Sequence, residues 1–161
     1  MNQQELYQHK RIDLTEAVGL IQSRQTVGLA MAASEPTGMM HELGIQAGRL
    51  EDVRIWSSLP LGNYSFVTDP TMEGHFFIES WFYGEINRRA HSQGRVSYIP
   101  CNLHQAVTRK LYANGNKLDV FIGTATPPDV DGNLSLSLSL VIEKQLLEAA
   151  GFALSLGDGL F

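Results

Sequence analysis

The side chains of this sequence best suited to chemistry are Glu35, the stretch Pro100-Cys101-Asn102-Leu103-His104, and the pair Asp129 and Asp131. Glu35 stands just before Pro36, and a carboxylate ahead of a proline at the first helical position reads first as a helix start favoured by the macrodipole. In a cleft the same carboxylate would act as a nucleophile or base. His104 is a candidate for lining a ligand site because it follows a predicted strand end. Cys101 reads as a small buried apolar residue, since nothing near it in sequence lowers a thiol pKa. Asp129 and Asp131 would suit calcium, but two carboxylates without a twelve-residue loop read as an Asx-bonded turn.

The common catalytic constellations are missing. There is no Gly-x-Ser-x-Gly elbow, no Walker loop and no Gly-x-Gly-x-x-Gly fingerprint. His9, His41, His75, His91 and His104 show no ligand-pair spacing on one helix face, so no metal site is expected. No residue is assigned as catalytic.

These groups must be positioned by elements that the sequence pattern outlines. Asp13-Leu14-Thr15-Glu16 predicts a capping box and a helix over 14–23. The unbroken apolar run from Thr26 to Met31 predicts a strand covered on both faces, with a helix over 37–48 after the next loop. Further strands are expected at 53–58, 76–82, 96–100 and 118–124. Helices are expected at 84–92, from Asn102 as cap to Tyr112, and at 141–150. Residues 64–75 are turn-rich and support no assignment, and Leu134, Leu136, Leu138 and Leu140 alternate with polar residues.

Strands alternating with helical patterns predict one α/β domain with a mainly parallel open sheet and helices on both faces. In such sheets ligands bind beyond the carboxyl ends of the strands. The loops of interest are therefore 31–38, 57–64, 100–104 and 124–133, which also hold most of the prolines.

Composition narrows the classes. The 161 residues are 43% apolar and 18% charged, a globular balance. The net charge of −5 leaves basic residues scattered apart from Lys10-Arg11, Arg88-Arg89 and Arg109-Lys110, so no nucleic-acid partner is expected. No apolar run approaches membrane-spanning length, and the start lacks the order of a secretory signal. With a single cysteine no internal disulfide is possible. A cytoplasmic protein without a membrane partner is the expectation.

Five stretches then carry a resemblance, in sequence order. They are Tyr7-x-x-Lys10 with Thr15-Glu16-Ala17-Val18 and Ile21; Val27-Gly28-Leu29 leading to Glu35-Pro36; Gly84-x-x-x-Arg88-x-Ala90 with Gly94-Arg95; Tyr98-Ile99-Pro100 with His104; and Asp119-Val120 followed by Pro128-Asp129-x-x-Gly132-x-x-Ser135-Leu136. Together they resemble the amino-terminal domain of the acetyl-CoA hydrolase/transferase family, which includes 4-hydroxybutyrate and succinyl-CoA:acetate CoA-transferases. The last block is the most specific.

The resemblance implies a CoA-transferase-like domain over 1–161 that faces a second α/β domain across the active site. It implies that a glutamate of that second domain, absent from this sequence, attacks the acyl-CoA thioester and passes CoA to a small carboxylate in ping-pong fashion. Water in place of the carboxylate gives hydrolysis. A first domain then supplies a dry wall and acyl pocket. A coenzyme A thioester is implied as substrate and no tightly bound cofactor is expected. Substrate-binding positions implied are Met31, Glu35, Pro36, Ser58, Gly62, Pro100, Asn102, His104, Pro128, Asp129 and Gly132. A face normally covered by the second domain predicts homo-oligomers of the chain by itself.

The pattern is broken at four places. Ser23-Arg24-Gln25 replaces a Ser-Gly-Asp turn. Met31 stands where some members place a histidine, which argues against a hydroxylated acyl group. Asp131 and Ser137 replace a histidine and a glycine in the last block, and Phe152 to Phe161 resembles the family's next strand only in apolarity. A truncated, split or frameshifted gene would account for that end. Two alternatives stay open: a non-catalytic binding or dimerising module, and an unrelated α/β hydrolase using Glu35, Asp129 or His104.

Overall fold

The computed structural model describes residues 2–112, 115–136, 138 and 140–156. The sequence reading of Ser137 and of residues 157–161 lies outside them. The chain opens with a helix that apolar periodicity does not announce, α1 (Gln3–Lys10). Its start is a full capping box: Asn2 Oδ1 accepts from Glu5 N–H at 2.8 Å and Glu5 Oε2 from Asn2 N–H at 2.8 Å. At α2 (Leu14–Gly19) only the Asp13 half of the expected box forms, and the helix is shorter than predicted.

The remaining elements alternate. β1 (Thr26–Leu29), α3 (Thr37–Ile45), β2 (Val53–Ser57), α4 (Ser65–Thr68), β3 (Phe76–Ser80), α5 (Glu85–His91) and β4 (Val96–Tyr98) come first. They are followed by α6 (Ala106–Tyr112), β5 (Val120–Thr124), α7 (Glu143–Ala149) and β6 (Phe152–Leu156). Pro36 is the cap of α3 rather than its first residue. Asn102 precedes a 3₁₀ turn, Leu103–Gln105, without capping it through its side chain. The turn-rich 64–75 region contains α4, and the apolar end of the sequence forms β6.

All six strands are parallel, in the order β4-β3-β2-β1-β5-β6. β1 is central, with Val27 opposite both Ile55 of β2 and Val120 of β5. Because side chains alternate across a strand, the sheet carries two cores. One face packs Val27, Leu29, Ile55, Ile78 and Ile122 under α2, α3, α4 and α5. The other packs Trp56, Trp81, Leu118 and Phe121 under α6 and α7. Gly28 belongs to the second face, where a Cβ would meet Leu146 at 3.1 Å; its absence lets α7 settle on the sheet. The alternating leucines do not make a strand among the described residues. Leu134, Leu138 and Leu140 are exposed because no neighbouring strand offers them a face. No helix of the described residues is long and apolar enough to cross a membrane.

Candidate functional site

The chain leaves β1 towards β2 and leaves β5 towards β6, so the connections of these two paired strands diverge at their carboxyl ends, the switch point at which open α/β sheets bind ligands. The loop after β1 is held there from two sides. Thr124 Oγ1 at the end of β5 donates to Ser34 O at 2.9 Å. Glu143, only 1% exposed, accepts from Met31 N–H at 3.1 Å through one oxygen. Its other oxygen takes the N–H groups of Val141 and Ile142 at 2.7 and 3.0 Å. A buried carboxylate satisfied by three main-chain donors is stable where an unpartnered one would not be. Sequence reasoning missed this role, although an acidic residue in the first turn of a predicted helix was the available signal.

Glu35 ties the loop after β1 to the loop after β2. Its Oε1 accepts from Leu61 N–H at 2.8 Å, and its Oε2 from Tyr64 O–H at 2.9 Å and from Gly62 N–H at 3.4 Å. Burial pushes the Glu35 carboxyl above its ordinary value, and the three donors only partly offset it. Burial and the Glu35 charge together push Tyr64 far above the usual phenol range. Tyr64 is fully buried, stacks on Phe66 at 5.8 Å and lies 5.1 Å from the His41 ring. Gly62 presses on it so closely that a Cβ would sit 2.4 Å from the phenol oxygen. Ala32 (φ 51°) and Leu59 (φ 47°) adopt left-handed backbone in these two loops, a conformation costly for residues with a Cβ and kept only where neighbours enforce it.

The other expected positions spread out. Met31 is buried among Ala30, Trp56, Trp81 and Phe121, and Pro36 is buried at the start of α3. Ser58 is buried with its hydroxyl unpartnered, as is the indole N–H of Trp81. Pro128 and Gly132 are half-buried in the loop after β5. Asp129 Oδ1 accepts from the N–H groups of Asp131 and Asn133 at 2.9 and 2.8 Å, which is the Asx-type turn rather than a cation site. Those bonds, led by Asn133 N–H, hold its carboxyl below the usual value. Gly132 has φ 85° and packs against Gln3 of α1.

Pro100, Cys101, Asn102 and His104 are exposed on the loop after β4, three strand spacings or about 14 Å across the sheet from β1. The structure therefore joins Glu35 to Gly62 and joins the β1 loop to the β5 loop, but sets His104 apart from them. Cys101 is exposed, against expectation, because it lies beyond the end of β4 with no helix above it. Partial desolvation raises its thiol pKa against a smaller pull from Arg109. Among the described residues no group of three or more His, Cys, Asp or Glu is placed to hold a metal.

One polar constellation had no sequence signal. Glu79 of β3 accepts from Trp56 Nε1–H at 2.9 Å and pairs with Lys110 Nζ of α6 at 2.6 Å, both side chains nearly buried. Lys110 also lies 5.6 Å from the Trp56 ring centroid. The residues are 23 and 31 positions apart: the β2–β3 register sets Trp56 beside Glu79, and the packing of α6 on that face brings Lys110 to them.

An all-parallel open sheet of this kind is in keeping with one family. The model described as the acetyl-CoA hydrolase/transferase N-terminal domain matches residues 1–153. The chain belongs to this family. A curated relative, the succinyl-CoA:acetate/propanoyl-CoA:succinate CoA transferase of Fasciola hepatica, is 27% identical over 139 residues, which are 84% of this chain and 28% of that protein. Among solved structures, RipA from Yersinia pestis superposes with a TM-score of 0.87 at 24% identity, covering 98% of this chain and 38% of RipA. The 4-hydroxybutyrate CoA-transferase of Porphyromonas gingivalis gives 0.73 at 22% identity, covering 96% of this chain and 34% of that protein. The chain thus spans about a third of the relatives that it matches, and the fold is the CoA-transferase-like open sheet.

Proposed function

We propose that this chain is the amino-terminal half of an acyl-CoA:carboxylate CoA-transferase or acetyl-CoA hydrolase and forms a wall of the acyl and CoA site. The observation that carries this reading is chemical: the carboxylate at the switch point, Glu35, has both oxygens engaged by Leu61, Gly62 and Tyr64. Three donors weaken this carboxylate as a nucleophile and tie it to the loop after β2. Asp129 is likewise committed to its own turn. As the family resemblance implies, the attacking carboxylate comes from a second domain, and the substrates are an acyl-CoA and a small carboxylate or water, with no tightly bound cofactor. A cytoplasmic setting suits these substrates.

The test is CoA exchange between acetyl-CoA and succinate, with the chain alone and with a separately expressed second half of a longer relative. Turnover only in the mixture is expected. Its absence in both sinks the proposal, and turnover by the chain alone, lost in Glu35→Gln, points instead to a self-sufficient hydrolase. A second reading, a non-catalytic dimerising module, is favoured by the exposed Leu134, Leu138 and Leu140. Calorimetry separates the two, because that module has no affinity for acetyl-CoA.

A further inference from the structure

The tip of the loop after β2 has little main chain with which to hold itself. Pro60 carries no N–H, and the amides of Leu61 and Gly62 both point at Glu35, 26 and 27 residues earlier in the chain. Leu59 is in left-handed backbone, a conformation that relaxes unless something enforces it. Tyr64 closes the arrangement by donating to the same carboxylate from a fully buried ring. At the centre of this latch Leu61 is 63% exposed although its own amide is fixed, so the loop carries an exposed apolar side chain on an anchored backbone. An isolated exposed leucine is ordinary. A leucine whose amide is fixed by a half-buried carboxylate on another loop is a built feature.

We propose that Glu35 is a positioning residue that locks loop 59–64 and thereby holds Leu61 as the apolar contact for the acyl chain of a CoA thioester. This rests on the acyl-CoA reading above. Glu35 acts through the loop rather than on the reacting atoms, its oxygens accepting the two amides and the phenol. A carboxylate suits the task better than an amide, since both of its oxygens accept and the loop offers only donors. Glutamine at this position still places its carbonyl on Leu61 N–H and lets its NH₂ donate to a turned Tyr64 hydroxyl. It therefore retains most of the latch, whereas alanine retains none.

Two measurements on the full chain decide this. In the first, amide hydrogen exchange is followed across residues 58–65. Glu35→Ala is expected to speed exchange there about tenfold or more, with the β-strands unchanged, and Glu35→Gln to restore most of the protection. If the alanine variant does not fold, Glu35→Asp, which is one methylene too short to reach both amides, gives the same local signature. Unchanged exchange at Leu61 and Gly62 overturns the latch. In the second, acetyl-CoA and butanoyl-CoA are titrated by calorimetry. Leu61→Ala is expected to narrow the preference between them by about fourfold while leaving exchange as in the wild type. Binding with an unaltered preference overturns the role of Leu61. A wild-type chain that binds neither ester overturns the acyl-CoA reading itself, and the exchange result still decides the latch.

Discussion

The loops after β1 and β2 and the segment 134–140 lie in one small domain, yet they are built on opposite principles. In the first region a half-buried carboxylate, Glu35, and a buried one, Glu143, take main-chain N–H groups at Leu61, Gly62 and Met31, 26 to 112 residues away, and fix irregular backbone in place. In the second, leucines stand in solvent, with Leu138 81% exposed, and no strand or helix among the described residues covers them. The difference teaches where rigidity comes from when regular hydrogen bonding is missing. Loops must satisfy their main chain somehow, and a buried carboxylate does so with up to four acceptor positions. Apolar side chains cannot, so an apolar segment without a partner remains a surface.

The contrast breaks most severely at Glu143. Glu143→Ala leaves the N–H groups of buried Met31 and Ile142 and of Val141 without their acceptor, and a loss of about 3 kcal/mol is expected from urea unfolding. A similar loss of about 3 kcal/mol is expected for Lys110→Met, which leaves Glu79 buried without its cation. The double variant Glu79→Gln/Lys110→Met should regain part of that loss, because glutamine keeps an acceptor for Trp56 Nε1 and carries no charge.

A smaller effect sharpens the role of Glu35 through pH. Its folded pKa is raised by burial above the unfolded value, so the folded state binds the proton more tightly. The contribution to stability is therefore present below the unfolded pKa and is lost as pH rises through the folded pKa. His41 and Tyr64 are the other titratable groups gathered at this point. Unfolding free energy of the wild type should fall relative to Glu35→Gln as pH rises above the ordinary glutamate value of 4.5. A flat difference above that value would contradict the burial of Glu35.

The smallest effect on stability is expected at the exposed segment. Leu138→Ser with Leu140→Ser should change unfolding free energy by less than about 0.5 kcal/mol. The same pair should lower self-association in sedimentation at micromolar concentration. Wild type that sediments as a clean monomer would remove the basis for a sticky second region.

Much of this was legible in the residues. The apolar runs at Val27 and Val120 announce strands covered on both faces because period and length distinguish them from solvent-facing segments. Asp13, Pro36 and the Asp129 turn are local signals, decided within a few residues. Helix α1 escaped because its evidence lies in the Asn2 and Glu5 cap rather than in apolar periodicity. β6 was readable only as apolar, since a strand of five residues is indistinguishable from other short apolar runs until β5 lies beside it.

The family and the α/β class were thus set by the sequence itself, through local periodicity and an ordered series of short motifs. What the tertiary structure alone decided was the use of the carboxylates. Glu35 looked like a helix-start charge or a nucleophile, and became an anchor once the sheet placed the β2 loop's donors against it. Glu79 and Lys110 carried no signal, and Glu143 only that of an acidic residue in a helix's first turn, because Trp56, Lys110 and Met31 lie 23, 31 and 112 residues from the carboxylates that hold them. Contacts of that range exist only after the strands have taken their order, and no local pattern encodes them.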